Sequence, residues 1–516
     1  MLGLVAVVAA ALALRLPGLE RRPLHADEAV QAIKFSDLLE KGSYRYDANE
    51  YHGPTLNYAT LPFAWLSGEK DRTRLSETTL RLVPVVFGVG LILLLPLLVD
   101  GLGRGATLGA GLLTAVSPAL VFYSRYYIHE TLLVWFTMLL LAAGWRYQQT
   151  RRWGWALLAG VALGFMYATK ETFVLAVGAM IVAGVVVLAW EHWREDRPLP
   201  WRGPVPWRHV ALAGGAGLVV ALVLYSSFFT NARGPADSWR AYLPWVQRAQ
   251  GASPHLHPWW FYLERLVWYH RASGPVWTEL FVVALAAAGF GCSFGRVGMA
   301  AAHTRLARFL SVYAVVLTGS YSVIAYKTPW CLLGFHHALI LLAGVGAAAL
   351  VAQCRTRLLA MAARAVFLAG VVHLGAQAWR AAVPLAADRG NPYVYAQTVP
   401  DLLRLVERAR AIARVHPQPE RFAVQVMAPG GDYWPLPWYL RGFKNVGWWP
   451  EVPADPYASL MIVSAKFGAD LDEKSNKRWL MVGLFENRPG LFFELYVELE
   501  LWRRYVETLP RNRDED

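Results

Sequence analysis

"MLGLVAVVAAALALRLPGLERRPLHADEAVQA", residues 1–32, places an apolar run directly ahead of His25, Asp27 and Glu28. Roughly 20 apolar residues are needed to cross about 30 Å of hydrocarbon. Runs of that order cover 1–19, 79–99, 106–123, 129–147, 154–169, 172–190, 210–229, 276–293, 309–326, 331–352 and 364–383. The chain therefore reads as an α-helical polytopic membrane protein with about 11 transmembrane helices. No Lys or Arg precedes the first run and no small-residue cleavage site comes before Arg15. It is expected to be a retained helix, not a cleavable signal.

Composition agrees with a chain that has the bilayer as solvent, since 56% of the 516 residues are hydrophobic and 17% are charged. A formal charge of +13 could suggest nucleic acid. The arginines instead sit in short clusters between apolar runs, which excludes that reading and follows the positive-inside pattern. Cys292, Cys331 and Cys354 lie in or beside apolar segments with no metal-ligand spacing and no disulfide framework.

Arginine clusters at Arg104, Arg146–Arg152, Arg194–Arg208, Arg296–Arg308 and Arg355–Arg364 occupy every second connection, which assigns those connections to the cytoplasm. The opposite face then holds the loop 20–78, the turns "SRYYIHE" (124–130) and "ATKET" (168–172), the loop 230–275, "YKTPWC" (326–331) and everything after about residue 384. The organisation expected is a transmembrane catalytic domain over 1–383 and a small C-terminal extracytoplasmic α/β domain over 384–516. In that tail "RFAVQVMA" (421–428) and "SLMIVSA" (459–465) read as buried strands. "VPDLLRLVERARAIARV" (399–415) reads as an amphipathic helix, packed on the domain or lying on lipid. "EYHGPTLNYATLPFAWL" (50–66) and "HPWWFYLERLVWYHRASGPVW" (257–277) read as interfacial helices.

The outer set also gathers the residues suited to chemistry. Adjacent residues on a helix diverge by about 100°, so one member of the Asp27–Glu28 pair can face a reacting group while the other pairs with a base. The same acids would serve equally as helix caps. Glu130 opens the fourth run after Arg125 and His129, where a charge is costly unless paired or functional. Lys170 and Glu171 occupy a short turn, and Lys327 stands beside Pro329 and Trp330. Such lysines can hold a phosphate as point charges or snorkel to the interface. His25, Asp27, His129 and Glu130 have the donor types for a divalent metal, the one cofactor the sequence admits.

An ordered series of segments resembles the GT-C glycosyltransferases, in the branch of protein O-mannosyltransferases and lipid A aminoarabinose transferases and their prokaryotic flippase-activity-associated relatives. The series is "HADEAVQA", "HGPTLNYATLPFAWLSG", "LRLVPVVFG", "SPALVFYSRYYIHET", "GFMYATKETF" and "YKTPWCLLGFHHALILLAG", with "DYWPLPWYLRGF" in the tail. Gly53 stands where the branch has the first Pro of a Pro-Pro-Leu segment, and Glu130 where it has Asp.

The resemblance implies transfer of a hexosyl, mannosyl-type sugar from a polyprenyl-phosphate donor to a protein, lipid or glycan acceptor. It places the reaction at the outer face of the inner membrane, with inversion. It implies Asp27, Glu28 and Glu130 as catalytic residues, and Lys327, Arg125 and Lys170 on the donor phosphate. His25, Tyr51, His52, His129, Glu171 and Trp330 would contact substrate. A lipid-linked sugar flippase and an oligosaccharyltransferase-like enzyme are the competing readings; the acids at one face and the lack of an internal repeat favour the transferase.

Overall fold

The computed structural model describes residues 2–50, 52–195, 204–243, 255–271, 274–295 and 297–510. They form two compact units, one of Met1–Leu19, Lys41–Glu69 and Thr78–Tyr395, the other of Glu20–Glu40, Lys70–Glu77 and Ala396–Asp516. The acid pair at 27–28 thus belongs to the same unit as the C-terminal tail.

The first unit is helical. Each expected apolar run coincides with a helix, beginning with Leu2–Arg15 and ending with Arg357–Ala382. Among the described residues, six helices are long and apolar enough to cross a membrane: Glu77–Leu102, Phe173–Arg194, Trp207–Tyr225, His303–Val323, Pro329–Ala352 and Arg357–Ala382. The protein is a multi-pass membrane protein. Helices pack through small residues, as apolar side chains gain little from leaving lipid. A Cβ on Gly346 would lie 2.0 Å from the Leu285 carbonyl oxygen, so helices Leu280–Gly295 and Leu333–Ala352 meet only because that position is glycine.

Two runs differ from expectation for local reasons. The run 106–123 is broken into helices Arg104–Val116 and Pro118–Tyr123, because Pro118 has no N–H to continue the ladder and turns Ser117 out of the helix. Among the described residues of 257–277 only Phe261–Val267 is helical. Gly274 turns the chain through a bond from its N–H to the Arg271 carbonyl, and Tyr269 then pairs antiparallel with Trp277. In 50–66 the helix begins after Pro54 and runs Thr55–Leu66.

The second unit is built on a five-stranded sheet in the order β2-β1-β3-β5-β4. Its strands are β1 Ala423–Met427, β2 Asn445–Trp449, β3 Leu460–Ser464, β4 Trp479–Arg488 and β5 Leu491–Glu498. β1 pairs parallel with β2 and β3, while β5 runs antiparallel to β3 and β4. All five residues of β3 are buried, as a central strand covered on both faces requires. Helix Asp401–Arg414 packs on β4 and buries Leu402, Leu405, Val406, Ala409 and Ile412, a stripe at helical spacing. Its apolar face is therefore spent on the sheet.

Helix Ala26–Lys41 is tied into this unit through its N-terminal approach. The Leu24 N–H donates to the Tyr439 hydroxyl at 2.8 Å and the Gln397 amide donates to the Pro23 carbonyl at 3.0 Å. Arg72 donates to Ser36 and Asp37 along the helix, at 2.9 and 2.8 Å.

Candidate active site

In the helical unit the segment 52–55 lies along the turn 168–172 as a short two-stranded contact. His52 bridges Lys170, the Gly53 N–H donates to the Thr169 carbonyl at 3.1 Å, and Thr55 donates to the Ala168 carbonyl through its N–H at 3.2 Å and its hydroxyl at 2.7 Å. A Cβ at Gly53 would stand 2.0 Å from that Ala168 oxygen. This close approach accounts for glycine at a position where the resembling branch carries proline.

The docking assembles an ionisable cluster. Lys170 donates to Glu130, and both side chains are buried. Burial disfavours the Lys170 ammonium, yet the Glu130 carboxylate outweighs it and raises the lysine's pKa above its ordinary value. Glu130 also sits in the first turn of helix Glu130–Thr150, where the exposed backbone N–H groups favour an anion. Glu171 accepts from His52 Nδ1 at 3.1 Å, His129 Nε2 donates to the Gly53 carbonyl at 3.0 Å, and the two imidazoles lie 5.0 Å apart. Tyr51 lies outside the described residues. Glu130 and Lys170 line a cavity of about 20 Å³ with Thr172, Tyr321, Trp330 and Cys331.

The other expected phosphate ligands sit differently. Lys327 is buried and directs Nζ to the carbonyls of His257, at 3.3 Å, and Ile324. Burial lowers its pKa. Arg125 donates to the carbonyls of Arg15, at 2.9 Å, and Gly18, at 3.2 Å, where the first helix ends. Of the three cations, Lys170 alone lines the cavity that also holds Trp330.

Two polar groups were not anticipated. Glu279, fully buried, accepts from Ser117 Oγ at 2.7 Å, the Ala119 N–H at 3.0 Å, the Tyr393 hydroxyl at 2.8 Å and His336 Nε2 at 2.8 Å. The signal was present as an acid and a histidine at the edges of apolar runs, where ionisable groups are paired or functional. His255 and His257 meet the Tyr395 hydroxyl at 2.6 and 3.2 Å, a contact that no local pattern announces.

In the second unit the acid pair is divided. Glu28 is fully buried, bonded to Arg22 at 3.1 Å through each carboxylate oxygen, and accepts the His25 N–H at 2.9 Å. Asp27 is open, with 55% of its side chain exposed, and its carboxylate lies 3.7 Å from His25 Nδ1. Burial lowers the His25 pKa, against the pull of Asp27 and Glu28 and with the push of Arg22 and Arg488. The imidazole is therefore neutral near pH 7, and Nδ1 accepts the Asp27 N–H at 3.1 Å. Arg488, at the end of β4, lies within the electrostatic reach of both His25 and Asp27. Among the described residues no three His, Cys, Asp or Glu side chains group as metal ligands.

Residues 54–233 match the family model described as dolichyl-phosphate-mannose-protein mannosyltransferase, a stretch that contains Glu130, Lys170 and Glu171 and begins after Asp27. The crystal structure of ArnT from Cupriavidus metallidurans bound to undecaprenyl phosphate superposes with a TM-score of 0.63 at 18% identity, over 95% of this chain and 97% of that one. The chain has the ArnT-like GT-C fold. The same fold appears in the apo oligosaccharyltransferase of Archaeoglobus fulgidus, with a TM-score of 0.52 at 12% identity over 86% of this chain and 64% of that one. No curated protein matches the sequence. Within the GT-C frame the ArnT likeness extends over both units, since it covers 95% of the chain.

Proposed function

We propose that this protein is a membrane glycosyltransferase that moves a sugar from a polyprenyl-phosphate carrier to a hydroxyl acceptor at the outer face of the inner membrane. The observation that carries this reading is the division of the acid pair on a GT-C fold: Glu28 is consumed by Arg22, while the Asp27 carboxylate is open in the first turn of helix Ala26–Lys41. A base must be reachable and held, and Asp27 is both.

The reaction is a direct displacement with inversion. The acceptor oxygen bonds to the anomeric carbon as its proton passes to Asp27, and the bond from that carbon to the phosphate oxygen breaks, releasing polyprenyl phosphate. Phosphate leaves without a separate acid. Lys170, whose ammonium Glu130 keeps protonated, is the cation proposed for its charge. Lys327 and Arg125 hold backbone carbonyls instead. His52, His129 and Glu171 shape the substrate contacts beside the pair. Neutral His25 holds the Asp27 backbone through Nδ1 and keeps the turn before the helix fixed.

The family model at 54–233 supports a mannosyl-type donor, and the ArnT complex with undecaprenyl phosphate supports a polyprenyl carrier. The test is reconstitution of the purified chain with radiolabelled polyprenyl-phosphate sugars, mannose first, and membrane extracts as acceptor source. Label moving from the carrier to an acceptor supports the reading. Movement of intact lipid-linked sugar between leaflets without loss from the carrier would replace it with the flippase reading.

A further inference from the structure

The loop "GGDYWPL" (430–436) and the edge strand β2 present aromatic rings on the unit that carries Asp27. Among the described residues β2 pairs only with β1, and its Trp448 and Trp449 are 36% and 39% exposed. Tyr433 packs on Trp448 with ring centroids 5.1 Å apart, and Trp434 follows at 5.8 Å from Tyr433. Large apolar rings in water cost free energy in proportion to area, and Tyr433 and Trp434 are half-buried beside the exposed Trp448. The buried Asn487 amide donates to the carbonyls of Asp432 and Trp434 at 2.9 and 3.0 Å, which fixes the loop against β4.

The rim of the platform is polar and ion-paired. Asp432 accepts from Lys466 at 2.7 Å and from Arg488 at 3.3 Å. Arg488 is also within electrostatic reach of Asp27, and the aromatic rings and the open carboxylate belong to one unit.

We infer that Tyr433, Trp434 and Trp448 form a saccharide-binding platform that seats the acceptor, with Arg488 and Lys466 bonding its hydroxyls. A pyranose ring has one face of C–H bonds, which stacks on aromatic rings, and a rim of hydroxyls, which bonds to charged planar groups. Platform and rim supply both. Glu451 and Asp455, exposed just beyond β2, oppose contact with anionic headgroups.

The inference rests on the transferase reading for the word acceptor, but its test does not need transfer. Full-length protein in nanodiscs, without donor, is titrated with mannohexaose, maltohexaose and cellohexaose and followed by saturation-transfer NMR. Ring C–H signals are expected from at least one of the three, with affinity lowered at least tenfold in Trp448→Ala and largely kept in Trp448→Phe. Absence of binding by all three, or binding unchanged in Trp448→Ala, overturns the platform. In a transfer assay Trp448→Ala is expected to raise acceptor KM with kcat and donor KM unchanged. Sugar binding without any transfer by wild type would instead sink the transferase reading and leave the platform standing.

Discussion

Gly53 meets the Ala168 carbonyl so closely that a Cβ would stand 2.0 Å from its oxygen. The contact seats His52 opposite Lys170 and brings Glu171 and His129 to the same turn. Gly53→Ala must therefore displace one backbone from the other. Overpacking of this kind costs about 1–3 kcal/mol, and a lowered unfolding temperature in detergent with reduced transfer is the expected outcome. Gly144→Ala, where a Cβ meets nothing within 4 Å, is the control and should leave both unchanged.

The buried Lys170–Glu130 pair makes a second prediction. Removing one partner leaves the other charge uncompensated, at about 3–5 kcal/mol. Lys170→Met should unfold at clearly lower denaturant than wild type. Lys170→Met combined with Glu130→Gln should recover most of that stability while transfer stays lost. If the single variant matches wild type in denaturation, the pair is not the compensated charge described above.

His25 gives the pH dependence. Its pKa is lowered in the fold by burial, so the unfolded chain binds more protons once the pH approaches the unperturbed value of about 6.5. The stability it contributes is therefore complete above about pH 6.5 and is lost as pH falls below that. His25→Gln should flatten the acid limb of a stability-against-pH curve measured on the whole protein. An identical acid limb in both proteins would contradict the buried neutral imidazole.

Much of the helical frame was legible because apolar length is a local property. Apolar length alone makes 106–123 a single run, and Pro118 breaks it; β3 reads as buried from five apolar or small residues in a row. The interfacial reading of 257–277 overreached: periodicity favoured a helix, but Gly274 and the Tyr269–Trp277 pairing decided for a turn. Long-range partners were not legible. Nothing local to Lys170 names Glu130, forty positions away, and nothing near Asp27 names Arg488. The divergence of Asp27 from Glu28 follows from helical geometry, but which of them Arg22 would take depends on the turn at 22–25.

The central claim is that Asp27 accepts the acceptor's proton, and the direct measurement is sugar transfer by Asp27→Asn in proteoliposomes supplied with a polyprenyl-phosphate sugar. General-base assistance typically contributes about 10²–10⁴-fold. Because Asp27 is exposed and Glu28 keeps Arg22, the variant should insert and unfold like wild type, with kcat lowered by about that factor. Transfer at the wild-type rate by a folded Asp27→Asn protein would contradict the account.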